Sequence, residues 1–213
     1  MALAGHYRTL GGLIQSPQGI ALHLKGFVKD TKATKAILDD LEFPEPGTFM
    51  GHRIPRQCLW FGPGPYKFGG RKYYPARPIE TLEDLGRQLA EQVRPLLEQQ
   101  GITLTRPQAY LINKYSKKTD RVSEHQDNEP ALGKEPTILS LSIGQTRKFV
   151  LRPVRVPGGK RRKPSDARTW ILRDGDLVVL AGDIQDWYTH ELKRGTQDGV
   201  RYNITYRPYV FSQ

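Results

Sequence analysis

The second half of the chain restricts what it can fold into. After residue 105 it runs through short β-rich segments separated by turn signals, with no stretch of helical periodicity. Residues 109–115, 138–143, 148–151, 169–172, 176–180 and 202–210 are rich in β-branched and aromatic side chains, and Gly-Gly, Asp-Gly and Gly-Asp breaks fall between several of them. Six short strands in about 100 residues, with no helix between them, predict an antiparallel sandwich or barrel. Jelly rolls of this kind hold small ligands and metals in their mouths.

The first 105 residues read differently. Residues 82–99 keep a helical period through Leu82, Leu85, Leu89, Val93, Leu96 and Leu97, with Thr81 placed to cap the helix and Gly101 to end it. Residues 31–41 predict a shorter helix. Residues 43–78 are rich in Gly and Pro and predict short strands joined by tight turns. The 213 residues are thus expected to form one domain of α+β class, mainly β, with about 1–105 as an N-terminal extension and about 106–213 as the β core.

Charge narrows the partner. Lys and Arg number 33 against 22 Asp and Glu, a net +11, and the excess lies in two places. Residues 152–173 hold eight basic side chains, Arg161 and Arg162 among them, against the single acid Asp166. Residues 66–77 hold four, Lys67 among them, with no acid and with Tyr66, Phe68, Tyr73 and Tyr74 interleaved. Basic residues among aromatics suit neutralisation of a phosphate backbone together with base stacking, so the expected partner is nucleic acid. No apolar run approaches the roughly 18 residues of a membrane span, and residues 1–24 do not read as a signal peptide. The single cysteine, Cys58, excludes an internal disulfide and points to an intracellular, reducing compartment: the nucleus in a eukaryote, the cytoplasm in a bacterium. The expected oligomeric state is a monomer.

In Arg201-Tyr202-Asn203-Ile204-Thr205-Tyr206-Arg207 the side chains alternate, so Arg201, Asn203, Thr205 and Arg207 share one face and Tyr202, Ile204 and Tyr206 the other. Such alternation ordinarily means a polar face in water. Two guanidiniums at i and i+6 with Asn and Thr between them also describe a groove for a ligand with two carboxylates, because guanidinium is a rigid fork matched to carboxylate. A second site decides. His125-Gln126-Asp127 points two ligands the same way in an extended segment, and His190 follows downstream. Two histidines and a carboxylate on a β scaffold form the facial triad of non-haem Fe(II) oxygenases, although the ligands alone also suit a zinc hydrolase. A hydrolytic site has no use for the two-arginine strand. A 2-oxo dicarboxylate co-substrate does, since one end chelates iron and the other needs a cationic anchor.

The joint pattern of HxD, a distal His and RxNxTxR resembles the AlkB family of Fe(II)/2-oxoglutarate dioxygenases, with the likeness extending over residues 53–208. The resemblance implies a double-stranded β-helix (jelly-roll) core with an N-terminal, helix-supported nucleotide-recognition lid, Fe(II) as the metal and 2-oxoglutarate as co-substrate. It implies His125, Asp127 and His190 as iron ligands. Asn113 and Tyr115, within Leu111-Ile112-Asn113-Lys114-Tyr115, are implied to hold 2-oxoglutarate together with Arg201, Asn203, Thr205 and Arg207. Ser140-Leu141-Ser142-Ile143-Gly144 and Gly175-Asp176-Leu177-Val178-Val179 also fit jelly-roll strands of the family.

In the N-terminal half the chain is similar to the branch that repairs duplex DNA. Pro55-Arg56-Gln57 and Tyr66-Lys67-Phe68 resemble that branch's lid, whose aromatics are implied to pack on a flipped base opposite His125. Phe49-Met50-Gly51-His52 falls where the branch carries a hairpin finger, with Met50 as the wedge. Asn128, where an acid is common, and Glu129 are implied to line the base pocket, and the loop holding Arg161 and Arg162 to grip phosphates. The implied activity is oxidative demethylation of bases such as 1-methyladenine and 3-methylcytosine in DNA, with release of formaldehyde, succinate and carbon dioxide. An RNA demethylase would share the whole site, whereas a dioxygenase acting on protein or a small molecule would not need the basic loop.

Overall fold

The computed structural model describes residues 10–49, 51–68, 71–154, 163 and 166–210. In chain order these form β1 (Leu10–Ser16), β2 (Gly19–Leu24), α1 (Lys32–Asp39), β3 (Thr48–Phe49), β4 (His52–Arg53), β5 (Gln57–Phe61), β6 (Tyr66–Phe68), β7 (Arg71–Tyr73) and α2 (Glu80–Glu98). The second half contributes β8 (Ala109–Tyr115), β9 (Val122–His125), β10 (Ile138–Gly144), β11 (Arg147–Pro153), β12 (Arg168–Leu172), β13 (Leu177–Gly182), α3 (Ile184–Trp187), β14 (Tyr188–Leu192) and β15 (Arg201–Arg207). One sheet has seven strands in the order β1-β2-β13-β10-β15-β8-β5, and a second has four in the order β12-β11-β14-β9. The pairs β3–β4 and β6–β7 are separate ribbons.

From β8 onward the chain passes back and forth between the sheets. Strands β8, β10, β13 and β15 belong to the large sheet and β9, β11, β12 and β14 to the small one, which is the double-stranded β-helix expected. The boundary near residue 105 does not divide the large sheet, however. The hairpin β1–β2 extends it beyond β13, and β5 extends it beyond β8, so the N-terminal extension supplies three of its seven strands. The core strands β9 and β14 were not among the six expected from sequence, and they are the ones that carry His125 and His190.

Strand β15 lies between β10 and β8, so both of its edges are hydrogen-bonded. Tyr202, Ile204 and Tyr206 join a hydrophobic cluster with Leu82, Leu89, Val93, Leu96 and Leu97 of α2 on the outer face of the large sheet. Tyrosine hydroxyls tie the helical layer to that face. Tyr206 donates to the Leu82 carbonyl (2.8 Å), Tyr202 donates to Asp39 Oδ1 (2.9 Å), and Tyr110 accepts the Ile79 N–H (3.2 Å). The close approach requires Gly86, because a Cβ there would lie 2.5 Å from the Tyr206 ring. Helix α2 starts at Glu80 with Ile79 as its N-cap and no side-chain cap, so Thr81 lies inside it; Glu80 and Glu83 complement the helix dipole instead. Gly101 follows its end at φ +69°, a conformation glycine adopts without strain. No described helix is long and apolar enough to cross a membrane.

Candidate active site

The β9–β14 ladder sets His190 directly opposite His125, with ring centroids 4.2 Å apart. Two residues after the end of β9, Asp127 turns into the same space. Its Oδ1 lies 3.7 Å from His125 Nε2 and its Oδ2 lies 3.6 Å from His190 Nε2, and one ligand atom from each of the three falls within 4.8 Å of the others. The backbone here is held by Gln185 on α3: its Oε1 accepts the Asp127 N–H (3.2 Å), and its carbonyl accepts from the Gln126 side chain.

Protonation states suit a metal. Burial, together with the neighbouring His125, pulls His190 down to about 3, which leaves it a neutral imidazole. Burial also lowers His125. Its Nδ1 lies 2.9 Å from the Ser123 carbonyl, which can only accept, so Nδ1 carries the proton and Nε2 offers its lone pair toward Asp127. Burial works to raise Asp127, but the charged Arg207 is the largest opposing influence, and the carboxyl stays below its ordinary range. Two neutral nitrogens and one carboxylate on one side of a buried space make the donor set of a facial triad.

The polar face of β15 is turned into the same cavity rather than into water. Arg201 is 1% exposed and Arg207 3%. Arg201 donates to Ser142 Oγ (2.7 Å) and the Gln145 carbonyl (3.2 Å), while its Nε is buried without a partner; burial pulls its pKa down to about 10. Tyr115 lines the same cavity, pushed up to about 12 by burial and so a neutral phenol. At the other end of the strand Arg207 NH2 lies 3.7 Å from Asp127 Oδ1, and its Nε is also buried and unpartnered. A small dianion between two buried guanidiniums would supply the missing acceptors. Asn203 and Thr205 line the cavity but are partly spent on the scaffold: Asn203 donates to Ser140 Oγ (2.8 Å) and the Leu141 carbonyl (3.0 Å), and Thr205 donates to Asn203 Oδ1 (3.0 Å). Asn113 Oδ1 accepts from Arg56 Nε (2.8 Å) and Cys58 Sγ (3.2 Å).

Two residues assigned to the lid line the cavity itself. Arg56 is buried in the wall of the cavity beside Asn113 and Tyr115, a third guanidinium next to the dicarboxylate groove. Tyr66 is 0% exposed, its ring stacked on Trp60 with centroids 4.5 Å apart, so no base can pack on it. Its hydroxyl instead faces the cavity, accepting from Arg207 NH1 (2.7 Å) and donating to Glu129 Oε1 (2.9 Å). Glu129 is half-buried, with Oε2 lacking a partner, and burial and Asp127 raise its pKa. Gly51, His52, Lys67 and Asn128 are exposed and do not line the cavity. Phe68 belongs to β6, while Met50, Arg161 and Arg162 lie outside the described residues. Of the basic stretch 152–173, Arg152 is not available to a phosphate, since it pairs with Glu124 (3.3 Å) and Glu191. No sequence signal marks Gln185, which the placement of α3 brings to Asp127, or Ser140 and Ser142, which the register of β10 with β15 brings to Asn203 and Arg201.

Residues 21–207 match the model of the 2OG-Fe(II) oxygenase superfamily. The chain belongs to that superfamily. This oxygenase is 34% identical over 113 residues to the DNA oxidative demethylase ALKBH2 of Arabidopsis thaliana, a match covering 46% of the chain and 36% of that protein. It is 31% identical over 158 residues to the human alpha-ketoglutarate-dependent dioxygenase alkB homolog 3, covering 73% of the chain and 52% of that protein. The matched regions span about half or less of these relatives. Its fold is that of the structure of OsALKBH1, with a TM-score of 0.65 and 20% identity, over 93% of this chain and 100% of that one. The AlkB resemblance read from the motifs therefore holds. Superfamily membership implies Fe(II) and 2-oxoglutarate, and the residues present fit both: His125, Asp127 and His190 for the metal, and the unpartnered donors of Arg201 and Arg207 for the two carboxylates.

Proposed function

We propose that this oxygenase removes N-linked methyl groups from nucleobases in DNA, with 1-methyladenine and 3-methylcytosine as the target class. The observation that carries the reading is Glu129, joined through Tyr66 to the cavity and keeping one buried carboxylate oxygen without a partner. Methylation at these ring positions gives the base a positive charge, which a half-buried acid bonded to the cavity-lining Tyr66 favours over the neutral parent base. Similarity to a protein named a DNA oxidative demethylase and the basic, aromatic stretch 66–77 support a nucleic-acid substrate.

When bound, Fe(II) and 2-oxoglutarate supply the oxidation, in which the N-methyl group is hydroxylated and lost as formaldehyde while 2-oxoglutarate and dioxygen give succinate and carbon dioxide. The chain's own residues orient and exclude. His125, Asp127 and His190 would hold the metal, Arg201 and Tyr115 the far carboxylate, and Arg207 the carboxylate nearer the metal. Leu111, Ile138, Phe149 and Leu180 give the cavity apolar walls that limit water.

The test is anaerobic reconstitution with Fe(II) and 2-oxoglutarate, then addition of oxygen and a panel of methylated oligonucleotides followed by mass. Loss of a methyl group from DNA is expected. Succinate formation with no methyl loss from DNA or RNA would overturn the reading, and faster loss from matched RNA would replace DNA by RNA.

A further inference from the structure

Tyr66 joins the two halves of the site. Its ring is locked against Trp60 (interplanar angle 20°), and the Arg207 guanidinium carbon lies 5.5 Å from its centroid, so the side chain has one freedom left, the choice of partners for its hydroxyl. A phenol has one proton to donate and lone pairs that accept. Here the proton goes to Glu129 Oε1, and the oxygen accepts from Arg207 NH1. Arg207 in turn reaches toward Asp127, with its NH2 3.7 Å from Oδ1. A continuous polar chain thus runs from Glu129, on the side assigned to the base, through Tyr66 to Arg207 beside the metal triad.

We propose that Tyr66 is a positioning residue that couples 2-oxoglutarate binding to engagement of the Glu129 carboxylate by a cationic base. The inference rests on the function proposed above. A hydroxyl that donates to a carboxylate becomes a better acceptor, because hydrogen bonds in a chain polarise one another. With no base present, Glu129 therefore strengthens the hold of Tyr66 on Arg207 NH1 and withholds that one donor from the co-substrate, leaving only the remaining guanidinium nitrogens for it. A cationic base engages the Glu129 carboxylate, weakens its bond from Tyr66, and so releases Arg207 toward a carboxylate of 2-oxoglutarate. Coupling of this kind is reciprocal: the co-substrate must tighten the base to the same degree.

The test is calorimetric titration of 2-oxoglutarate into the oxygen-free, Mn(II)-loaded protein, alone and with saturating oligonucleotide containing 1-methyladenine or unmodified adenine. Oligonucleotide binding is followed separately by fluorescence polarisation. In the parent protein the methylated oligonucleotide should tighten 2-oxoglutarate by about fivefold or more, the lower end of ordinary coupling, and the unmodified one should not. Tyr66→Phe keeps the stacked ring and removes the hydroxyl. It should bind 2-oxoglutarate without oligonucleotide as tightly as the parent does with it, and the ratio should fall to near one. Glu129→Gln should also lose the ratio. Tighter binding after loss of a hydrogen bond is a sign that simple damage to the pocket would not produce. A Tyr66→Phe protein that keeps the parent ratio, or that binds 2-oxoglutarate more weakly, overturns the coupling, as does a parent that binds the methylated oligonucleotide with a ratio of one. No binding of either oligonucleotide overturns the nucleic-acid reading itself, and the coupling falls with it.

Discussion

Gln185 accepts the backbone N–H of Asp127 through its side-chain oxygen at 3.2 Å, tying the carboxylate ligand to α3 in the link between β13 and β14. Its own carbonyl accepts from Gln126, so both residues that follow His125 are fixed by one side chain and its backbone. Groups that orient metal ligands are typically worth about 10–100-fold in metal affinity. Gln185→Ala is therefore expected to raise the Mn(II) or Fe(II) dissociation constant by about that factor, measured by anaerobic titration. Unchanged affinity would show that Asp127 is positioned without it.

Arg201 is the most deeply placed cation of the groove, 1% exposed, with two donors committed to Ser142 and Gln145 and its Nε without a partner. Removing one member of a buried, hydrogen-bonded charge pair costs about 2–5 kcal/mol, roughly 30-fold or more in affinity. Arg201→Lys keeps the charge and loses the planar fork. It should raise the KM for 2-oxoglutarate at least 30-fold while Mn(II) affinity stays at the parent value. Equal losses of metal and co-substrate binding would instead mean that the substitution collapses the cavity.

The site was legible in the sequence where chemistry follows from alternation. The face shared by Arg201, Asn203, Thr205 and Arg207 needs only the period of a strand, and HxD with a later His needs only chain order. The strands β9 and β14 escaped for a physical reason. Their inward side mixes His125 and His190 with Val122, Tyr188 and Leu192, and their outward side carries Glu124, Thr189 and Glu191, linked to one another and to Arg152, so the apolar signal of each short strand is interrupted by polar residues. For Tyr66 the sequence does not say which end of the tyrosine meets the cavity; the ring is core, and the hydroxyl bonds Arg207 and Glu129. Arg56 reaches the cavity only through the pairing of β5 with β8, which sets Cys58 opposite Asn113.

The seam between α2 and β15 predicts a stability effect remote from the chemistry. Alanine is better than glycine in a helix interior by about 1 kcal/mol, so Gly86→Ala would ordinarily stabilise. Here the new Cβ would sit 2.5 Å from the ring of Tyr206, a core residue whose hydroxyl is bound to Leu82. Overpacking of this kind costs about 1–3 kcal/mol. Gly86→Ala is therefore expected to lower the urea midpoint, by roughly 1 kcal/mol of stability after the propensity gain is counted. A rise in the midpoint would mean that the helix shifts without loss of packing.

Asp176 predicts how stability depends on pH. It is buried beside His23, accepting from His23 Nε2 (2.8 Å), the Gly26 N–H (2.7 Å) and the Arg173 N–H (2.9 Å). Burial works to raise its pKa, but the His23 bond and the two backbone donors outweigh it, and the carboxyl titrates below its ordinary value. A carboxylate depressed on folding contributes stability that is fully present above its unfolded pKa, about 3.9, and is lost as pH falls through the folded value. Asp176→Asn leaves buried donors short of an acceptor, so at neutral pH it should cost about 1–3 kcal/mol. The gap between parent and variant should stay constant from neutral pH down to about 5 and then narrow below about 4, as protonation removes the same interaction from the parent. Urea unfolding of both proteins across that range tests it; a gap that does not narrow at low pH would show that the carboxylate charge is not what holds β2 to the turn before β13.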